Sequence, residues 1–200
     1  MVSKSGPRNL HGIFMGLGKQ GCETVDRSVY SGAGEKKDTT GIAKMKLPKQ
    51  LEKECVEPGV RAALKGESIA LHSASAITIP VLKLTPKLRK NIFYAKSLGE
   101  LIIGYEAIER ALANELRGLQ KIDSLSDRVS RLLMVTNDGS PRFYREFEFL
   151  QKRQGARVLI CRLDVDSVLM GNILGFKDQV VKAVLLNKKK SVVNVLKSLL

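Results

Sequence analysis

The stretch ELIIGYEAIERALANE, residues 100–115, decides the fold. A short apolar run, Leu101-Ile102-Ile103, stops at a single Gly104, and a helical period begins at once. From Tyr105 to Leu116 the apolar positions Ile108, Ala111, Leu112 and Leu116 recur at three- and four-residue steps, one face of an amphipathic helix. A buried strand that turns through glycine straight into a helix belongs to an α/β architecture. Glycine at that junction lets another backbone approach closely, and the N–H groups of the first helical turn attract phosphate. Arg110, six residues on, has the reach to add positive charge at that end; the same residues equally suit an ordinary strand-to-helix turn with a solvated Arg.

The same alternation runs outward on both sides. Thr85 as N-cap and Pro86 at the first helical position open a helix in PKLRKNIFYAKSLGE, with Leu88, Ile92, Ala95 and Leu98 on one face and Gly99 closing it. Downstream, Arg131–Thr136 reads as a buried strand ending at the turn Asn137-Asp138-Gly139. Ser140-Pro141 starts a helix to about Gln154, ended by Gly155. Arg157–Arg162 is the next strand, and Asp166–Leu174 a helix capped by Asp166 and closed by Gly175. A strand over Gln179–Leu185 and a helix over Lys190–Leu200 finish the chain. Residues 86–200 are therefore expected to form a three-layer α/β/α sandwich with a mixed sheet.

The N-terminal part has a different texture. Residues 1–48 are rich in Gly, Ser, Thr and Lys, and SGAGEKKDTTG is a linker signature. LPKQLEKECVEPGVRAALK, residues 47–65, holds two short helical patches broken at Pro58-Gly59. SASAITIPVLKLTP alternates and is β-branched but contains Pro80, which suggests an extended arm or an edge strand. The expected division is an N-terminal extension over 1–85, small or poorly ordered, and a regular domain over 86–200.

Charge is the first functional signal. The chain carries 34 Lys plus Arg against 20 Asp plus Glu, a net +14 with a pI of about 9.8. Residues 86–200 hold 21 basic and 12 acidic residues; residues 1–85 hold 13 and 8. That balance suits a polyanionic partner, nucleic acid above all, contacted mainly by the C-terminal part. The apolar runs are only a few residues long, too short for a membrane span, and the N-terminus shows no leader-type apolar region. Cys22, Cys55 and Cys161 are far apart and odd in number, which argues for reduced thiols and a cytoplasmic setting.

No catalytic or metal-binding constellation is assigned. Gly16-Leu17-Gly18-Lys19-Gln20-Gly21 fits a dinucleotide fingerprint, but only GIFM precedes it and CETVDRSVYSG is a poor helix, so it reads as a glycine-rich loop. His11 and His72 are isolated and read as surface or loop residues. Cys161 lies mid-strand and reads as core. Lys188-Lys189-Lys190 is a solvated basic run with at most non-specific phosphate contact. No cofactor is expected, and the oligomeric state stays open.

The pattern LRKNIFYAKSLGELIIGYEAIERAL resembles the kink-turn RNA-binding family of ribosomal proteins, in particular its bacterial YlxQ-type branch. The matching features are Ala95 to Gly99 at a helix end, Gly104, the pair Tyr105-Glu106, and Arg110 six positions after the glycine. Met170-Gly171-Asn172-Ile173-Leu174-Gly175 is similar to a second family loop, and the likeness spans about residues 86–200. It implies a non-enzymatic RNA-binding protein acting around translation, on structured or ribosomal RNA. Its implied RNA site is Gly104, Tyr105, Glu106 and Arg110 on one side and Gly171, Asn172, Ile173 and Gly175 on the other. There the glycines admit close backbone approach, Arg110 meets phosphate, and Ile173 offers an apolar surface to an unstacked base. Ribosomal members carry Asn-Glu where this chain has Glu106 and Ala107, so the target RNA is left open. DRSVYSG and GIAKMKLP stand in the order of an eroded YlxR-type domain, without its cysteine and Gly-Arg-Gly, and read as a degenerate arm. A nucleotide-using enzyme built on GLGKQG and a protein-interaction module are the alternatives.

Overall fold

A computed structural model describes residues 45–119, 127–177 and 179–200. In chain order they form α1 (Lys49–Lys53), α2 (Glu57–Gly66), β1 (Ser68–Ala70), β2 (Thr78–Leu82), α3 (Pro86–Ser97), β3 (Leu101–Ile103) and α4 (Tyr105–Leu119). There follow β4 (Arg131–Val135), α5 (Pro141–Gln154), β5 (Val158–Leu163), α6 (Ser167–Ile173), β6 (Ala183–Leu186) and α7 (Lys189–Lys197). One six-stranded sheet has the order β1-β2-β5-β4-β6-β3. Pairs β2/β5 and β4/β5 are parallel and the other three antiparallel, so the sheet is mixed as expected.

Residue alternation in the central strands builds two cores. Leu132 and Met134 of β4, Leu159, Cys161 and Leu163 of β5, and Val184 and Leu186 of β6 face α1, α2, α3, α6 and α7. Leu133 and Val135, Val158 and Ile160, and Ala183 and Leu185 face α4 and α5 through Ile108, Leu112, Phe147 and Leu150. Side chains on a strand point alternately to its two faces, so a wholly apolar strand needs cover on both. This is the α/β/α sandwich.

Three helix starts, those of α3, α5 and α6, follow their capping residues. Thr85 Oγ1 accepts from the Leu88 N–H at 3.1 Å, Ser140 Oγ from Phe143 at 3.3 Å, and Asp166 Oδ1 from Leu169 at 2.6 Å. On α3, Leu88, Ile92 and Ala95 are buried as the spacing predicts, whereas Leu98 has left the helix and is half exposed.

Three expectations change. Pro80 lies in β2, which is inside the sheet, and β1 is the edge on that side. The proline is tolerated because it stands opposite Ser68 between the hydrogen-bonded partners, and pairing with β5 starts only at Val81. The strand expected over Gln179–Leu185 is confined to Ala183–Leu186, because the Val181 N–H is donated to the Ser167 carbonyl of α6. Finally, elements on both sides of residue 85 share one core: Leu47, Leu51, Val60 and Leu64 pack in the same cluster as Leu88, Ile92 and Leu196.

Candidate functional site

Gly104 sits where β3 becomes α4, at φ +86°. Its N–H donates to the Ala183 carbonyl at 3.1 Å and its carbonyl accepts from the Ile108 N–H at 3.1 Å. The residue thus ends a strand pairing and begins a helix at once, which requires the left-handed region that glycine tolerates. A Cβ there would meet open space among the described residues, and the left-handed backbone by itself calls for glycine. Among the described residues no acceptor meets the N–H groups of Tyr105, Glu106 and Ala107, the open donors of the first turn.

Within the chain itself, close backbone approach occurs at Gly171. A Cβ on Gly171 would lie 1.9 Å from the Gln179 carbonyl oxygen. Gly175, at φ +70°, closes α6: its N–H donates to the Asn172 carbonyl and the Phe176 N–H to the Gly171 carbonyl, a Schellman ending. The chain then runs past Gln179 into Ala183, the acceptor of the Gly104 N–H. Both sequence-expected segments therefore meet at one end of the sheet, where β3, β4 and β5 finish and β6 begins.

The side chains divide between support and surface. Tyr105 is half buried, its ring edge-on to Phe147 with centroids 5.3 Å apart. Burial, with the Glu109 and Glu146 carboxylates, pushes its phenol above the usual range. Ile173 is 3% exposed and part of the core, so it braces α6 and is not the open apolar surface expected of it. Glu106, Arg110, Asn172 and Gly175 are exposed. Among the described residues Arg110 has no ion-pair partner, and no hydrogen bond or ion pair joins it to residues 170–175.

Sequence reasoning missed two features at this end. Lys182 precedes Ala183, is exposed, and has no ion-pair partner among the described residues; a basic residue just past the Gly175 turn was the available signal. Asp138, in the turn after β4, accepts from Thr136 Oγ1 at 2.6 Å, Ser167 Oγ at 2.5 Å and the Ser167 N–H at 3.1 Å. Burial works against its charge, but these donors outweigh it and hold the carboxyl below its usual range. Asp138 thereby pins the start of α6 to the end of β4.

The GLGKQG loop, His11, Cys22, DRSVYSG and the SGAGEKKDTTG linker lie outside the described residues, as does the start of GIAKMKLP. Cys161 is fully buried and burial raises its thiol, in keeping with a core residue. Among the described residues no helix is long and apolar enough to cross a membrane, and no group of three or more His, Cys, Asp or Glu gathers to hold a metal ion.

The sequence matches no family model and no curated protein. Among solved structures it is similar to a protein of unknown function from Bacillus halodurans, at 11% identity and a TM-score of 0.42, over 57% of this chain and 98% of that one. It is also similar to the Giardia lamblia 15.5 kD RNA-binding protein, at 14% identity and a TM-score of 0.39, over 56% and 81% of the two chains.

Proposed function

We propose that this is a non-enzymatic RNA-binding protein that holds structured RNA, ribosomal RNA included, in a cytoplasmic role around translation. The carrying observation is the meeting, at one end of the sheet, of the uncapped first turn of α4 with the segment that follows α6. Backbone N–H donors, a helix dipole and the exposed cations Arg110 and Lys182 are the groups that grip phosphate. The net +14 supplies long-range attraction to a polyanion. Glu106 disfavours close phosphate contact at its own position, so the RNA is held by backbone and cations around it.

Gel-shift titration of a kink-turn stem-loop at two salt concentrations tests the reading. Arg110→Ala should weaken binding by roughly ten- to a hundredfold, the range of a charge-assisted contact. It should also lower the salt slope by about one unit, since one fewer counterion is released. Binding equal to the parent's at both salts would remove Arg110 from the interface and the proposal with it.

A further inference from the structure

A second surface lies between α3 and α6, a groove of about 630 Å³. Ile173 and Leu84 line its floor, and Arg89, Lys90, Phe93 and Asn172 its walls. Helix α3 carries Lys87, Arg89, Lys90 and Lys96 and no carboxylate. Lys87, Arg89 and Lys90 are all exposed and have no ion-pair partner among the described residues. By contrast, α2 and α5 contain internal ion pairs, such as Arg61–Glu57 at 2.6 Å and Lys152–Glu148 at 2.8 Å.

Aromatic surface is interleaved with this charge. Phe93 is 51% exposed, its ring 3.7 Å from the position a Cβ would take on Gly175, and Tyr94 one residue on is 52% exposed. The walls are fixed in place: Lys96 donates to the Leu174 carbonyl and stands 4.0 Å over the Phe176 ring, tying α3 to the end of α6. Asn172 offers a side-chain amide that both donates and accepts at the rim. A fixed half-exposed ring, unpaired cations one turn away and an amide at the edge match the three parts of a nucleotide.

Building on the RNA-binding reading above, we infer that this groove takes an unpaired nucleotide flanking the structured RNA. The base stacks on Phe93 with its edge toward Asn172, and the neighbouring phosphates lie against Arg89 and Lys90. Charge selects the occupant: Arg89 and Lys90 wall the groove and α3 bears no acid, which repels a basic peptide and leaves the stacking ring to a polyanion with aromatic bases.

The test uses the full chain and two RNAs, a kink-turn stem-loop alone and the same stem-loop with four unpaired uridines added at either end in turn. One flank should tighten binding to the parent protein by roughly 5- to 100-fold, the range of a stacked base. Phe93→Ala, at an exposed position, should abolish that gain while leaving the bare stem-loop unchanged; Arg110→Ala should weaken both RNAs and keep the gain. Four-thiouridine in the flank should crosslink to the peptide containing Phe93. A bare stem-loop that binds while neither flank adds affinity overturns the groove assignment and leaves the RNA reading standing. Failure of both RNAs to bind overturns the RNA reading and this inference with it. Binding of hexaglutamate that Phe93→Ala removes, with no gain from a flank, assigns the groove to an acidic peptide and overturns the nucleotide.

Discussion

Glycines at three positions do three different jobs, and the difference decides how each tolerates a side chain. Gly104 needs a left-handed backbone in open space; Gly175 needs one at a helix end; Gly171 needs room, since the Gln179 carbonyl fills the place of its Cβ. Gly104→Ala should therefore cost only the left-handed strain, about 1–2 kcal/mol. Gly171→Ala must displace residues 179–181 and break the Val181–Ser167 hydrogen bond, an overpacking loss of about 2–3 kcal/mol. Urea unfolding of the two variants checks the order, and an equal loss would show that the close approach yields easily. The sequence made Gly104 and Gly175 legible because a turn is a local event. The contact at Gly171 was not legible, because its partner comes from a segment that folds back after α6.

Helix α5 and the β1–β2 connection are joined by a polar cluster that no local pattern announces. His72, read from the sequence as an isolated loop residue, is largely buried and lies 2.6 Å from Glu148, 76 positions away. The Ala74 N–H donates to His72 Nδ1 at 3.3 Å, so Nε2 carries the proton given to Glu148 Oε2. Lys152 approaches the other carboxylate oxygen at 2.8 Å. Lys152 foremost, with Ser75 and His72 and against the opposing effect of burial, lowers the Glu148 carboxyl to about 2. Because this value is below that of the unfolded chain, the stabilisation is complete above about pH 4.5 and is lost as pH falls through about 2. Glu148→Gln should cost on the order of 2–3 kcal/mol at pH 7 and clearly less at pH 3. Urea midpoints of parent and variant at both values decide it; a gap of equal size at pH 3 would mean that ionisation of Glu148 contributes nothing.

Across the whole molecule, the alternation of helix and strand after residue 86 was legible because each element carries its own period and α3, α5 and α6 carry their own caps. The packing of residues 45–85 was not. Their change of texture near Pro86 marks no break in the core, since burial depends on which faces meet and not on composition along the chain. Val81 and Leu82 pair with Arg162 and Leu163, and Leu47, Leu51, Val60 and Leu64 cover the sheet face that α3 and α7 share. A chain starting at residue 86 would leave the β5 edge unpaired and those apolar contacts open to water, a surface prone to edge-to-edge association. Leu47, Leu51, Val60 and Leu64 are each fully buried, and deleting even one such side chain typically costs 2–5 kcal/mol, comparable to the stability of a small domain. Residues 45–200 should therefore unfold in one cooperative transition, while residues 86–200 should lose that transition or aggregate. Circular dichroism during urea unfolding of the two fragments makes the comparison. A cooperative transition for residues 86–200 at the same midpoint as for 45–200 would show that the N-terminal elements pack on the sandwich without supporting it.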